Sequence, residues 1–376
     1  MVDIETSPFE FTGPVQPDDL IDRETELAAL RDRAAHGRFV LLYAPRRYGK
    51  TSLIHALARD IGRGRDMAAV VADLEGVLTL ADVARRLEDA YRRLPDGRFR
   101  KAMLRSATLL AELGIELSAG GVGVAATLRG RGPGEAAPVL ERLLDLPWEA
   151  AERAGVRVLV VLDEFQAIAD VAGADAVLRS KIQHQRDRVS YLFSGSEQGV
   201  LRAIFHDRAK PLYGQAEQIV LGPLPDEALA EFIVAKFAET GRDAGEALGL
   251  LLRAAEGHPQ RAVFLAHHLW QATGPKGRAD ATTWSEGVER ALKATGAEFT
   301  ALTDGLTGVQ RRVLRLLAHG EPLYGAAARR IEVAKSSATT AARFLAERSI
   351  AVRDGDSWRL LDPLLALWLR HTHPAP

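Results

Sequence analysis

The stretch Leu41–Leu57, "LLYAPRRYGKTSLIHAL", decides how the rest of the chain is read. Phosphate-binding loops follow G-x-x-x-x-G-K-[ST], and Gly49, Lys50 and Thr51 supply the second half of that pattern. Ala44 stands where the first glycine belongs. Alanine is the least disruptive replacement, costing about 1–2 kcal/mol if the position requires a left-handed backbone. Before the loop, the apolar run "RFVLLYA" (38–44) predicts a strand buried on both faces. After it, Leu53, Ile54, Leu57 and Ile61 recur at helical spacing. Strand, loop and helix in this order separate a phosphate loop from a chance Gly-Lys-Thr. Backbone N–H groups and the helix N-terminus would surround the phosphates. Lys50 would reach the β- and γ-phosphates, and Thr51 would ligate Mg²⁺. The candidate binding segment is thus Ala44, Pro45, Arg46, Arg47, Tyr48, Gly49, Lys50, Thr51 and Ser52.

A second stretch, "GVRVLVVLDEFQAI", carries an apolar run that ends in Asp163 and Glu164. A buried strand finishing in two carboxylates is what a magnesium–nucleotide site asks of its neighbouring strand. Asp163 would hold Mg²⁺ through water, and Glu164 would orient and deprotonate the attacking water. An acidic turn meeting solvent gives the same local pattern, but two half-motifs in order, each closing a buried strand, argue against coincidence. Further apolar runs, "AAVVADLEG" (68–76), "VSYLFSGSEQGVL" (189–201) and the short Ile219–Leu221, alternate with helical patterns. This alternation predicts a parallel α/β sheet with ligands at the carboxyl ends of its strands. Ser194 and Ser196, expected between loop and acidic strand, are candidates to contact the γ-phosphate or position water, although a serine–glycine turn after a strand is also only a turn.

Composition bounds the alternatives. A chain of 376 residues favours two or three domains, and 47% hydrophobic with 26% charged residues is ordinary for a globular protein. The formal net charge of −1 predicts neither strong nucleic-acid affinity nor membrane attraction. The absence of Cys removes disulfides, zinc fingers and thiol catalysis, and fits a reducing compartment. The N-terminal "MVDIETSPFEF" lacks a basic segment and an apolar core, so no signal peptide is expected. No run approaches the ~18 apolar residues of a membrane span. The expectation is a soluble cytoplasmic protein.

Taken together, "APRRYGKTSL", "LVVLDEFQ", "FSGSE", "PLYGQ" and "GHPQ" resemble, in content and order, the archaeal-type ATPases of the STAND branch of AAA+ proteins. The resemblance spans nearly the whole chain. "LIDRETELAAL" (20–30) is similar to the family's R-E-x-E-L box, which implies that Arg23 and Glu24 line the adenine side of the pocket. The resemblance implies an AAA+ P-loop core with a parallel sheet over 1–224, a helical lid over 225–300 and a winged helix over 301–376. ATP and Mg²⁺ are the implied cofactors, and a slowly hydrolysing switch that controls assembly or a protein partner is the implied function. Gln215 stands where many relatives carry an arginine that serves a neighbouring γ-phosphate; glutamine cannot neutralise transition-state charge. Arg208 is a nearby substitute, with an exposed surface arginine as its default reading. Gly257 and Pro259 match the family's G-x-P turn, and Arg261 at the start of the next helix could report the γ-phosphate or simply be a solvated helix arginine.

Two regions remain. "GIELSAGGVGVAATLRGRGPG" alternates small and apolar residues and predicts a Gly-rich hairpin inserted near 114–132. In the C-terminal third, Thr307 is a plausible N-cap, "AAARRIEV" and "AKSSATTAARFLAERSIAV" read as short helices, and "VRDGDSWRLLDPLLALWL" begins with a hairpin tipped by Asp-Gly-Asp. Lys335, Ser336, Thr339, Thr340 and Arg343 could meet a DNA groove. Glu332, Glu347, Asp354 and Asp356 lie close by, so protein contact is favoured and DNA binding is expected to be weak. The alternative function is an ATP-tuned DNA-binding module. A scaffold that binds nucleotide without hydrolysis is disfavoured, because Lys50, Thr51, Asp163 and Glu164 are all present.

Overall fold

A strand that is apolar on both faces is stable only inside a sheet covered on each side. The computed structural model, which describes residues 6–13, 15, 20–111 and 133–373, places three such strands at the centre of a five-stranded parallel sheet. They are β1 (Val40–Tyr43), β3 (Arg157–Asp163) and β4 (Val189–Gly195). β2 (Met67–Asp73) and β5 (Glu217–Val220) form the edges, and β5 is largely exposed. The order is β2-β3-β4-β1-β5. The hairpin expected near 114–132 lies outside the described residues.

This order puts the end of β4 between the loop strand and the acidic strand, where Ser194 and Ser196 are expected. The acidic strand β3 does not neighbour the loop strand β1, because β4 lies between them, pairing Leu42 with Ser194 on one side and Leu162 with Phe193 on the other. Strands that are all fully buried satisfy the same apolar pattern in any order, so composition along the chain cannot choose among them. Three consecutive carboxyl ends, from β1, β4 and β3, therefore line up at one edge of the sheet.

The described residues form two compact units, one drawn from Gln16–Ala44 and Lys50–Leu221, the other from Met1–Val15, Pro45–Gly49 and Gly222–Pro376. The first holds the sheet with α1 (Glu24–Ala35), α2 (Lys50–Arg63), α3 (Leu80–Arg92), α4 (Arg98–Ala111), α5 (Pro133–Ala154), α6 (Ala174–Ile182) and α7 (Gln198–Phe205). The second is mostly helical. Its elements are α8 (Asp226–Glu239), α9 (Ala247–Ala255), α10 (Pro259–Ala272), α11 (Ala281–Asp304), α12 (Gly308–Ala318), α13 (Ala326–Arg330) and α14 (Lys335–Glu347). An antiparallel pair, β6 (Ala351–Asp354) with β7 (Ser357–Leu360), and α15 (Pro363–Thr372) complete it. Thr307 caps α12 through a capping box with Gln310, which satisfies two otherwise unpaired backbone donors. Among the described residues no helix is long and apolar enough to cross a membrane.

Beneath the carboxyl edge of the sheet, Phe193 is the hub of an aromatic cluster, with ring centroids 4.7 Å from Phe165 and 5.0 Å from Phe205. Phe165 directly follows Glu164 and Phe193 directly precedes Ser194, so this packing anchors both ends of the candidate site. Phe193→Ala is expected to cost about 3–5 kcal/mol of stability, the range for a fully buried phenylalanine. Urea unfolding of the variant checks it, and a loss below 1 kcal/mol would show that the cluster does not hold the edge.

Candidate nucleotide site

Between β1 and α2 the chain must turn sharply and leave its amides free. Gly49 takes φ 83°, a left-handed conformation that suits glycine, immediately before α2 begins at Lys50. Ala44 is different: it is fully buried, its backbone is outside the left-handed region, and its N–H donates to Gly195 O at 3.4 Å. The conformational cost that alanine would incur at a left-handed position does not arise. Arg47 carries left-handed strain instead, at φ 68°.

Lys50 is only 6% exposed, and a buried ammonium needs counter-charge. It donates to Asp163 Oδ1 and, at 2.9 Å, to Glu164 Oε1. Asp163 is held from three further directions: Ser194 Oγ donates to Oδ1 at 2.6 Å, Thr51 Oγ1 to Oδ2 at 3.3 Å, and the Glu164 N–H to Oδ1 at 2.9 Å. Glu164 adopts φ 50° and ψ 42°, a strained left-handed turn that brings its carboxylate back toward Lys50. Its other oxygen accepts from Gln166 Nε2 and, at 3.4 Å, from Ser196 Oγ. Gly195 makes room for this clasp, because a Cβ there would lie 2.1 Å from Gln166 Oε1. Lys50, Thr51, Asp163, Glu164, Ser194 and Ser196 are thus brought together as the sequence predicts; Gln166 and Gly195 complete the cluster, and only "FSGSE" hinted at the glycine.

The metal test is one of donor chemistry. The Thr51 hydroxyl and the Asp163 carboxylate are hard oxygen donors within hydrogen-bonding distance of each other. No group of three His, Cys, Asp or Glu side chains able to hold a metal occurs among the described residues. A hydroxyl plus one carboxylate, with phosphate and water making up the rest, suits Mg²⁺ rather than a protein-caged metal.

Other predicted residues fall elsewhere. Arg23 is buried at the start of α1 and paired with Glu26 at 2.7 Å, while Glu24 is exposed. Arg46 is exposed, whereas Pro45 and Ser52 are buried. Gln215 precedes β5, whose Glu217 pairs with Val40, so it lies at the amino-terminal edge of the sheet, opposite the edge where Lys50 follows β1. Its amide oxygen accepts from Arg186 Nη2 at 3.2 Å. Arg208 is exposed in the turn after α7.

The loop apex, Pro45–Gly49, has its contacts in the second unit. Arg47 pairs with Glu298 at 3.1 Å. The buried Tyr48 ring meets His258 edge-on at 4.7 Å; burial raises its phenol pKa, and a hydrogen bond from Arg359 partly offsets that rise. Pro259 opens α10 just after His258, whose ring accepts the Arg261 N–H at 3.3 Å. Arg261 is not a solvated helix arginine: it is 1% exposed, and its Nε donates to both oxygens of Asp362 at 2.9 and 3.1 Å. Asp362 also caps α15 by accepting from Leu364 N at 3.0 Å and Leu365 N at 3.3 Å. Burial works to raise its carboxyl pKa, and the Arg261 guanidinium overrides that, holding it below the ordinary value. His258, Arg359 and Asp362 were missed in the sequence. Asp362-Pro363 does carry the N-cap-then-proline signature of a helix start, but nothing local points to Arg261.

The sequence matches no protein-family model and no curated protein. Among solved structures the chain is similar to the Walker-type ATPase PABY2304 of Pyrococcus abyssi, with a TM-score of 0.70 at 18% identity, covering 96% of this chain and 99% of that one. It is also similar to the ORC2 protein of Aeropyrum pernix in its ADPNP–ADP complexes, with a TM-score of 0.58 at 17% identity over 96% of each chain. A third similarity is to ORC1 of the same organism in complex with DNA, with a TM-score of 0.51 at 16% identity, covering 94% of this chain and 93% of that one. The fold is accordingly shared with these proteins, an α/β core with a five-stranded parallel sheet followed by a helical C-terminal region.

Two expectations follow from these contacts. Ala44→Gly should leave nucleotide affinity unchanged and lower stability by about 0.4–1 kcal/mol, through the added freedom of the unfolded chain. Nucleotide titration beside urea unfolding checks this, and tighter binding in the variant would contradict the backbone reading. The second concerns pH. Burial drives His258 down to about 4 from 6.5, so between these values the unfolded chain holds a proton that the folded chain refuses. Its contribution is complete above pH 6.5 and is lost as the pH falls toward 4, by about 3 kcal/mol at most. His258→Asn keeps a capping acceptor and should flatten that part of the stability profile, measured by urea unfolding at several pH values; an unchanged slope would contradict it.

Proposed function

We propose that the protein binds Mg-ATP at Ala44–Ser52 and hydrolyses it slowly, as a nucleotide-controlled switch acting on assembly or on a protein partner. The observation that carries the reading is the clasp in which Lys50 meets both Asp163 and Glu164 while Ser194 and Thr51 hold Asp163. A phosphate entering the loop competes with the two carboxylates for one ammonium. Once Lys50 turns to phosphate, Thr51 and Asp163 can hold Mg²⁺, which supplies charge neutralisation at the phosphates. Glu164, already fixed by Gln166 and Ser196, orients a water and takes its proton as that water attacks the γ-phosphorus, releasing ADP and phosphate. In this reading Arg23 and Glu24 face the adenine, residues 1–224 are the core, 225–300 the lid and 301–376 a winged helix. Turnover is slow because Gln215 cannot supply an arginine's charge to a neighbouring copy, a contribution worth ~10³–10⁵ where it occurs.

The switch has a physical basis in Arg261. One guanidinium fork satisfies one carboxylate or one phosphate well, and here it is taken by Asp362. If a γ-phosphate recruits Arg261, the buried Asp362 carboxylate is left with the backbone donors of α15 alone, and Tyr48 and Arg359 connect the loop apex to β7 of the same C-terminal segment. The DNA-binding alternative is favoured less. Lys335 lies over the Tyr324 ring at 5.2 Å and Thr339 shares a 2.7 Å hydrogen bond with the Tyr324 hydroxyl, so part of the helix that would enter a groove is already engaged.

Glu164→Gln should retain ATP binding and lose turnover by about 10²–10⁴-fold, the range for removing a general base. Undiminished turnover would remove Glu164 from the mechanism. Asp362→Asn should strengthen ATP binding by roughly 5–150-fold, the usual size of a coupling between sites. Equal affinity in variant and parent, measured by titration with a non-hydrolysable analogue, would show that Arg261 serves packing alone.

A further inference from the structure

Gln166, in the 3-10 helix Phe165–Asp170 that follows β3, has an amide that is only half used. Its Nε2 donates to Glu164 Oε2, while its Oε1 is buried with no hydrogen-bond partner among the described residues. A buried acceptor left unpaired is unfavourable, and an apolar side chain of similar length would fill the same space without one. Packing therefore does not account for a glutamine here, whereas the donation to Glu164 does. The space itself is made by Gly195, where a Cβ would lie 2.1 Å from Gln166 Oε1 and 3.1 Å from Leu201 Cδ1. The two oxygens of Glu164 are held differently. Oε1 accepts from Lys50 at 2.9 Å, and Oε2 accepts from Gln166 and, at 3.4 Å, from the Ser196 hydroxyl. Gln166 belongs to the same turn as the residue it holds, a turn closed by the Ala167 N–H donating to Glu164 O at 3.1 Å.

We propose that Gln166 is a positioning residue for hydrolysis: it anchors Glu164 by Oε2, so that Oε1 is the atom unmasked when ATP draws Lys50 away. The inference rests on the Mg-ATP reading above and adds to it the atom that serves as base and the residue that keeps that atom in place. As the water oxygen forms its bond to the γ-phosphorus, its proton passes to Glu164 Oε1. The bond from phosphorus to the bridging oxygen breaks, and its electron pair leaves with ADP. Gln166 acts in this step only through Glu164. With the anchor gone, a carboxylate on a left-handed residue that has just lost its lysine keeps a single 3.4 Å side-chain contact, to Ser196. The base is then present but no longer fixed where the water is attacked from.

The test measures ATP turnover, affinity for a non-hydrolysable ATP analogue and thermal stability on the full chain. The variants are Gln166→Met, Gln166→Ala, Gly195→Ala and the Gln166→Ala/Gly195→Ala pair. Gln166→Met keeps the volume and loses the donor, so turnover should fall about 10²-fold, the loss typical of a misplaced reacting group. Analogue affinity and thermal stability should stay at the parental level. Gly195→Ala pushes against the free end of the Gln166 side chain rather than against backbone, and should give the same loss. The double variant should be no slower than Gly195→Ala alone, since both changes break one contact. Parental turnover in Gln166→Met, or losses that multiply in the double variant, overturns the positioning role and leaves the Mg-ATP reading standing. A loss of stability and of analogue affinity that accounts for the loss of turnover shows a packing role and overturns it too. A parent chain that fails to bind the analogue removes the Mg-ATP reading itself, and the positioning role with it.

Discussion

The ammonium of Lys50 must be buried if its loop is to close, and it can be buried only where anions converge. Isolated, it would face a desolvation penalty of several kcal/mol. The carboxyl end of β3 supplies two carboxylates in succession, and the sheet order brings that end to the loop without making β3 its neighbour. The intervening strand then has to end in something that tolerates an anion on its flank. Ser194 does so by donating to Asp163, and Gly195 does so by having no side chain. Strand order, the residue at each strand end and the turn at Glu164 are all consequences of satisfying one buried cation.

Glu164 shows what that arrangement costs. A non-glycine residue in the left-handed region carries of order 1–3 kcal/mol of strain and persists only when its surroundings over-determine it. Here Lys50, Gln166, Ser196 and the buried Phe165 each fix a different part of it. Gln166 can reach only because position 195 lacks a Cβ. Strain at one residue is thus matched by an absence at another about thirty positions later, a relation typical of sites where geometry is selected over local comfort.

Much of this was legible in the sequence, and the limits have physical causes. Buried strands announce themselves as unbroken apolar runs, and a phosphate loop needs glycine and lysine at set spacing, so β1, α2, β3 and β4 and their terminal residues could be read directly. Strand order could not, since burial on both faces is the same property in the middle of any parallel sheet. Ala44 was ambiguous because the pattern encodes a residue type rather than a dihedral angle; the backbone there is one that alanine adopts freely. Arg261 was ambiguous for a different reason. An arginine at a helix start is exposed by default, and what buries this one is a carboxylate 101 residues further on.

That distance matters for how the C-terminal segment is held. Asp362 has two obligations, the open N–H groups at the start of α15 and the guanidinium of Arg261, and both favour its ionised form. Removing either partner leaves the other bond intact but changes what the carboxylate costs to bury. If Arg261 leaves, a buried anion remains with backbone donors alone; if α15 moves, Arg261 becomes a buried cation beside Phe299 with no counter-charge of its own. The pair therefore has two acceptable states, both partners together or both separately compensated, and little between them. An arginine parted from this pair needs another anion and the aspartate another donor, so the two partings are linked. The linkage follows from the expense of leaving either charge alone.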